Sequence, residues 1–359
     1  MALNPSGAIS LAGPSAGQSI AVELGQSATA TISLNDTNVR TLAQVPSGVI
    51  VMPTDFYGKS NFTGTQKAIF GYGIRDAPTL RYSITNLVSS SGVVASDTPG
   101  VGTARNDLAA AGYGGDKAIF GFGSTPTAVA LTNLVSNTGV VAADTPGVGT
   151  ARSTLAAAGY GGDKAIFGYG FVSPTFTSLS SLVSNTGVVA SDTPGVGTSR
   201  SRLAAAGYGG DKAIFGFGRN NNLTPEQQNM TNLVSNTGVV ASDTPGVGTA
   251  RSFVAAAGYG GDKAIFMFGI TFPVAAPLAQ INLVSNTGVV ASDTPTTNAN
   301  RSRTAAAVYG GDKAIFAYGS SPGANTINYV SNTGVVASDT PGVGTGRYAL
   351  AAAGYSTTA

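Results

Sequence analysis

Residues 109–123 read AAAGYGGDKAIFGFG, and nearly the same fifteen letters return at 156–170, 204–218, 255–269 and 305–319. Half of the phrase, TQKAIFGYG, stands alone at 65–73; the other half, LAAAGY, stands alone at 350–355. Each phrase reads as a hairpin: a strand of small apolar residues, a Gly-Gly-Asp turn able to take the positive φ of primed hairpin turns, and a second apolar strand. The full unit is longer, as in NLVSNTGVVAADTPGVGTARSTLAAAGYGGDKAIFGYG (133–170). Copies begin near 86, 133, 181, 232, 282 and 328, and Lys67, Lys117, Lys164, Lys212, Lys263 and Lys313 are spaced 50, 47, 48, 51 and 50 residues apart. A glycine-rich period near 50 points to a propeller or array, not a helical solenoid.

Within the unit, NLVSNTGVVAS reads as a third strand or a small hairpin. DTPGVGTAR carries a proline that excludes a central strand, so it reads as a turn plus an edge strand. On that count the GGDK and DTPG turns share one end of each unit. Four short strands in each of six units predict a six-bladed β-propeller. The divided phrase separates a ring from an open solenoid. The repeats start with strand two and end with strand one, so the last strand pairs with the first and no edge is left exposed. The expected fold is therefore all-β: a six-bladed propeller over 61–359, closed by N- and C-terminal strands, after a small α+β module at 1–60. In that module ATATISL (28–34) alternates as a strand, and NDTNVRTLAQV (35–45) reads as a short helix capped by Asn35 or Asp36.

Composition limits the chemistry. The chain has 50 glycines in 359 residues, no cysteine, no histidine, no tryptophan and two glutamates, Glu23 and Glu226. The usual general base, zinc ligands and thiol nucleophile are missing, so a non-enzyme without a cofactor is expected. A net charge of +2 argues against a nucleic-acid partner. No apolar run approaches the length of a membrane span, and the first twenty residues do not read as a secretory signal. Glycine-rich GVGTAR and GYGGDK do not open a helix with Lys-Ser/Thr, so no phosphate cradle is expected. Asp and carbonyl oxygens leave calcium open, without EF-hand spacing.

Two sets of residues stand out at the end opposite GGDK. One is an arginine at a repeated position: Arg105, Arg152, Arg200, Arg251, Arg301 and Arg347. Arginine holds carboxylates bidentately, which suits a glycan-binding face; the repetition at one position argues more strongly for a structural arginine that bridges neighbouring blades by bonding backbone or Asp. The other set is the strand 2–3 loops, where the copies disagree: 74–85, 124–132, 171–181, 219–231, 270–281 and 320–327. Phe171, Phe176, Phe272, Val274 and Leu278 are expected to be exposed there as a partner surface. The repeated Asp116, Asp163, Asp211, Asp262 and Asp312, each beside a lysine, read as local ion pairs of little worth, or as a charged docking ring.

The order of strand, glycine turn, apolar strand ending in GYG or GFG, and an arginine ahead of the first strand resembles kelch repeats over 65–359. The chain has Gly-aromatic-Gly where kelch blades carry Gly-Gly, and it lacks their tryptophan. LNDTNVRTLAQVPSGVI with DFYGKS, and the SNTGVVASDTPGVGTAR array, are similar to structural proteins of tailed, marine-type bacteriophages. That resemblance implies a virion protein whose residues 1–60 anchor to other virion proteins and whose propeller is displayed to a host surface glycan or protein, at the tail or its fibres or over the particle. The alternative is a soluble propeller scaffold or glycan-binding lectin outside any virion.

Overall fold

In a computed structural model, the structure describes residues 11, 19–24, 27, 31–43, 49–51, 66–76, 78–272, 276–320 and 325–357. The chain divides into two compact units, Met1–Thr63 and Gly64–Ala359. In the first, helices Ile20–Glu23 and Thr37–Ala43 bury Ile20, Val39, Leu42 and Ala43, with Leu24, Ile32, Leu34 and Ile50 packed against them. Asp36 stands just before the second helix and its carbonyl accepts the Arg40 N–H at 2.9 Å, but its carboxylate accepts the upstream Ser33 N–H at 2.8 Å and, among the described residues, caps no helical N–H. The strand expected at 28–34 is not formed over its described residues, 31–34. Of 46–60, only 49–51 are described.

The second unit is all-β, built of small antiparallel sheets. Six of them repeat one plan among the described residues. The first joins Gln66–Gly71 and Thr85–Val88 to Ala351–Ser356. The second joins Ala109–Tyr113, Lys117–Gly121 and Thr132–Val135. The third contains Ala156–Tyr160, Lys164–Val172 and Thr175–Val183; the fourth Ala204–Tyr208, Lys212–Gly216 and Thr231–Val234. The fifth contains Ala255–Tyr259, Lys263–Met267 and Gln280–Val284; the sixth Ala305–Tyr309, Lys313–Ala317 and Ile327–Val330. The terminal strands of the repeat array thus share a sheet, with Ile69 opposite Ala353.

Residue choice follows position. The Ala-Ala-Ala-Gly-Tyr strand alternates buried and half-buried. Its residues are small because neighbouring sheets approach here: a Cβ on Gly112 would stand 3.3 Å from the Gly354 carbonyl oxygen. The Lys-Ala-Ile-Phe strand lies in the middle of its sheet and is covered on both faces, so it reads as a continuous apolar run. Ala118, Ile119 and Phe120 have no exposed surface, and each large side chain buried this way stabilises by roughly 1.5–3 kcal/mol. Each AAAGY strand packs on the AAAGY strand of the next sheet, and Ala351–Ser356 packs on Ala109–Tyr113, so the contacts return to their start.

The third segment resolves as a small hairpin. Ser136–Gly139 is its turn, with the Gly139 N–H donating to the Ser136 carbonyl, and Val141 and Thr145 bridge back to Val135 and Thr132. The Asn-Thr-Gly punctuation is therefore the strand 3–4 turn, at the GGDK end. This corrects the expectation that DTPG sits beside GGDK: DTPG follows a fourth, irregular edge and lies with the arginines, where Asp144 meets Arg105 and Thr103.

Candidate functional site

The six arginines are buried, each with 0% exposure, and stand between sheets, not on a face. Arg105 shows the pattern. Its guanidinium lies 4.3 Å from the Tyr72 ring centroid of the preceding sheet. Nε donates to the Phe122 carbonyl at 2.9 Å, Nη1 to the Thr103 carbonyl at 3.2 Å, and Nη2 to Asn133 Oδ1 at 2.7 Å. Asp144 stands 3.8 Å away and is itself fixed by Thr103 and Asn133. Arg200, Arg251 and Arg347 repeat the arrangement over Tyr169, Phe217 and Tyr318. Desolvation alone would raise the Asp97, Asp144, Asp243 and Asp293 carboxyls; bonds from threonine and asparagine, with the arginine charge, outweigh it and hold them below the usual range.

Two copies depart from the rule. Ser181 replaces asparagine, so Arg152 Nη2 bonds its Oγ at 2.9 Å, Nη1 closes to 3.1 Å from Asp192, and Nε is left without a partner. The sequence PTTNAN (295–300) replaces PGVGTA; Arg301 then turns Nη1 to the Tyr318 and Thr326 carbonyls, and its Nε is unpartnered.

The loop aromatics are half-buried, not exposed as expected. Phe171 and Phe176 face each other across a hairpin with centroids 5.3 Å apart, and Phe272 is covered by Arg219 at 4.5 Å. Leu278 is half-buried, and Val274 lies outside the described residues. The exposed large apolar residues repeat instead: Val93, Val140, Val188, Val239, Val289 and Val335 are each 65–66% exposed after the strand 3–4 turn.

A feature the sequence reading missed lies two residues beyond each arginine. Asp107, Thr154, Arg202, Phe253, Arg303 and Ala349 all have left-handed φ, 52–57°. Their amides form a circuit: Thr154 donates to Asp107, Arg202 to Thr154, Phe253 to Arg202, Arg303 to Phe253, Ala349 to Arg303 and Asp107 to Ala349, all at 2.8–3.2 Å. The six side chains surround a pocket of about 80 Å³, backed by Leu108, Leu155, Leu203, Val254, Thr304 and Leu350. The residue just before each hexad member bridges to the start of a variable loop, as in Asn106 with Ser124 and Ser201 with Arg219. The hexad therefore sits amid the variable loops. The signal was in the sequence: between an unvarying arginine and a near-constant Ala-Ala-Ala, this position carries five residue types in six copies.

Going round the circuit, Asp107, Arg202 and Arg303 alternate with Thr154, Phe253 and Ala349. Arg202 and Arg303 stack on Phe253 with guanidinium carbons 4.5 and 4.3 Å from its centroid. Burial pushes the Asp107 carboxyl up, against the pull of Arg303 and Arg202 and a 2.6 Å bond from Asn106. Burial also lowers Arg202, and the charges of Arg219 and Arg303 add to this.

The opposite end is uniform. A cavity of about 290 Å³ is lined by repeated glycines, tyrosines and lysines. Lys117, Lys164, Lys212, Lys263 and Lys313 each pair with the preceding aspartate at 2.5–3.1 Å. The lysines of these pairs are about half-exposed, so each pair is worth little. No group of three acidic side chains placed to hold a metal ion occurs among the described residues, and no described helix is long and apolar enough to cross a membrane. No protein-family model and no curated protein matches the chain.

Proposed function

We propose that this chain is a non-enzymatic recognition protein: a six-bladed, kelch-like β-propeller that presents one variable end to a partner. The observation that carries the reading is where the copies differ. Near-identical repeats keep one sheet plan and, in four copies, one unchanged arginine network, while most of their differences gather in the strand 2–3 loops and the hexad at one end. A rigid scaffold with divergent loops is the usual build of a binding surface. The propeller reading draws on the shared first sheet, the cyclic packing of the AAAGY strands and the hexad circuit. The non-enzymatic reading draws on a chain without histidine or cysteine.

We place the protein on the particle of a tailed bacteriophage, with residues 1–60 attached to other virion proteins and the variable end turned toward the host surface. This placement draws on the resemblance of the repeat and of the N-terminal segment to phage structural proteins. Electron microscopy of intact particles labelled with an antibody to 61–359 tests it. Label at the tail tip or fibres assigns adsorption, and label over the head assigns decoration. Absence of label from every particle removes the virion and leaves a soluble binding propeller.

A further inference from the structure

The hexad pocket carries two cations that, among the described residues, no side chain or carbonyl clamps directly; Asp107 acts on them only through its field. Among the described residues, no guanidinium nitrogen of Arg202 or Arg303 has a hydrogen-bond acceptor or a carboxylate within ion-pair distance, although both arginines are half-buried. The six scaffold arginines, by contrast, are clamped by carbonyls and asparagines or serine. Nearby charges are already engaged: Arg219 pairs with Glu226 at 2.5 Å, and Arg81 donates to Asn106 at 2.7 Å.

Beside Arg303 is a second anomaly. The apolar floor reads Leu108, Leu155, Leu203, Val254 and Leu350, but the sixth position is Thr304. Thr304 is 8% exposed and its Oγ1 has no partner. A buried hydroxyl without a partner costs about 1–3 kcal/mol, so this donor points to a group that enters the pocket.

We propose that the hexad pocket binds the oxyanion, carboxylate or phosphate, of a small ligand, held by Arg202 and Arg303 and by Thr304 Oγ1. Two guanidinium forks match the planar or tetrahedral oxygens of such a group. Phe253 holds both arginines at the rim. Asp107 is the resident competitor: its carboxylate shares the field of the same two arginines, so an arriving anion favours its protonated form. The other groups around it are Asn106, Arg81 and Tyr348, whose hydroxyl is engaged by Asp76. Binding therefore tightens when Asp107 is made neutral. The proposal rests on this being the recognition end, but not on the particle, and isolated protein suffices to test it.

The test is isothermal titration of the full chain with inorganic phosphate and, separately, with glucuronate. At least one probe is expected to bind, and which one binds identifies the source of the oxyanion. Arg202→Gln and Arg303→Gln should each weaken that probe about tenfold or more, the loss of about 1.4 kcal/mol from one charged contact, and Thr304→Val should weaken it less. Asp107→Asn should strengthen it by a similar factor, a gain that misfolding does not produce. Failure of both probes to bind the wild-type chain and D107N overturns the proposal. So does binding that R202Q and R303Q leave unchanged.

Discussion

The arginine between sheets is the residue on which neighbouring repeats are joined. Replacing Arg251 by Met keeps much of the stem but strands Asn282 Oδ1 and the Phe268 carbonyl in the interior. Each unsatisfied buried group costs about 1–3 kcal/mol, so the variant should lose about 3 kcal/mol or more in urea unfolding. The reverse experiment uses the copy that already departs from the rule. In the other sheets an asparagine both accepts from arginine and donates to a carbonyl, as Asn133 does to Ala142 at 3.0 Å. Ser181→Asn restores that second bond near Ala190, and should stabilise by about 1 kcal/mol, the net worth of one hydrogen bond.

The aspartates of the same network set the response to acid. The folded carboxyls of Asp97, Asp144, Asp192, Asp243 and Asp293 lie below their unfolded values. Their contribution is present above the unfolded pKa near 3.8 and is lost as pH falls through the lower folded values. A melting series from neutral to strongly acidic pH should stay flat and then fall steeply below about pH 4. Asp107 has the opposite sign. With its folded pKa raised, the stability it contributes is lost as pH rises through that value. D107N should therefore melt higher than wild type at neutral pH without ligand.

At the scale of elements, sequence legibility was uneven, for identifiable reasons. AAAGY and KAIFG were readable because small residues, a glycine turn and an apolar run each have one economical explanation. The SNTG turn was harder, because its apolar flanks mimic one longer strand. What settles it is Gly187 in the third sheet: φ is +84°, and a Cβ there would stand 2.9 Å from the Tyr113 ring. Gly187→Ala should cost about 1–3 kcal/mol by strain and overlap together, measured by thermal melting. Phe171 and Phe176 were read as exposed because they lie on a divergent segment; in the structure each ring covers the other. The arginines illustrate the same limit. Their repetition was visible, but whether they serve a ligand or a neighbouring sheet depends on partners far away in sequence, such as Asn86 for Arg347.

Across the whole repeat unit, the joining of the first and last strands carries the most weight. Ala351–Ser356 supplies one partner of Gln66–Gly71, Arg347 donates to the Tyr72 carbonyl and to Asn86, and Thr345 bonds Asp97. Ending the chain at Gly344 removes all three links at once. The truncated protein should lose its single cooperative melt and expose strand edges that associate, seen as higher-mass species in size-exclusion chromatography.

The amide circuit of the hexad has a consequence for how this end can change. A helix or hairpin leaves donors and acceptors unsatisfied where it stops; a chain of hydrogen bonds that bites its own tail has no terminus. Every N–H and C=O in it is spent on the scaffold whatever side chain the residue carries. Chemistry at this spot is thus decoupled from architecture. Aspartate, threonine, arginine, phenylalanine and alanine already occupy one and the same backbone geometry within a single molecule, so the six positions behave as interchangeable tiles, and a library randomised at all six should yield proteins that keep the same β circular-dichroism spectrum while differing in melting point with the charge they bury.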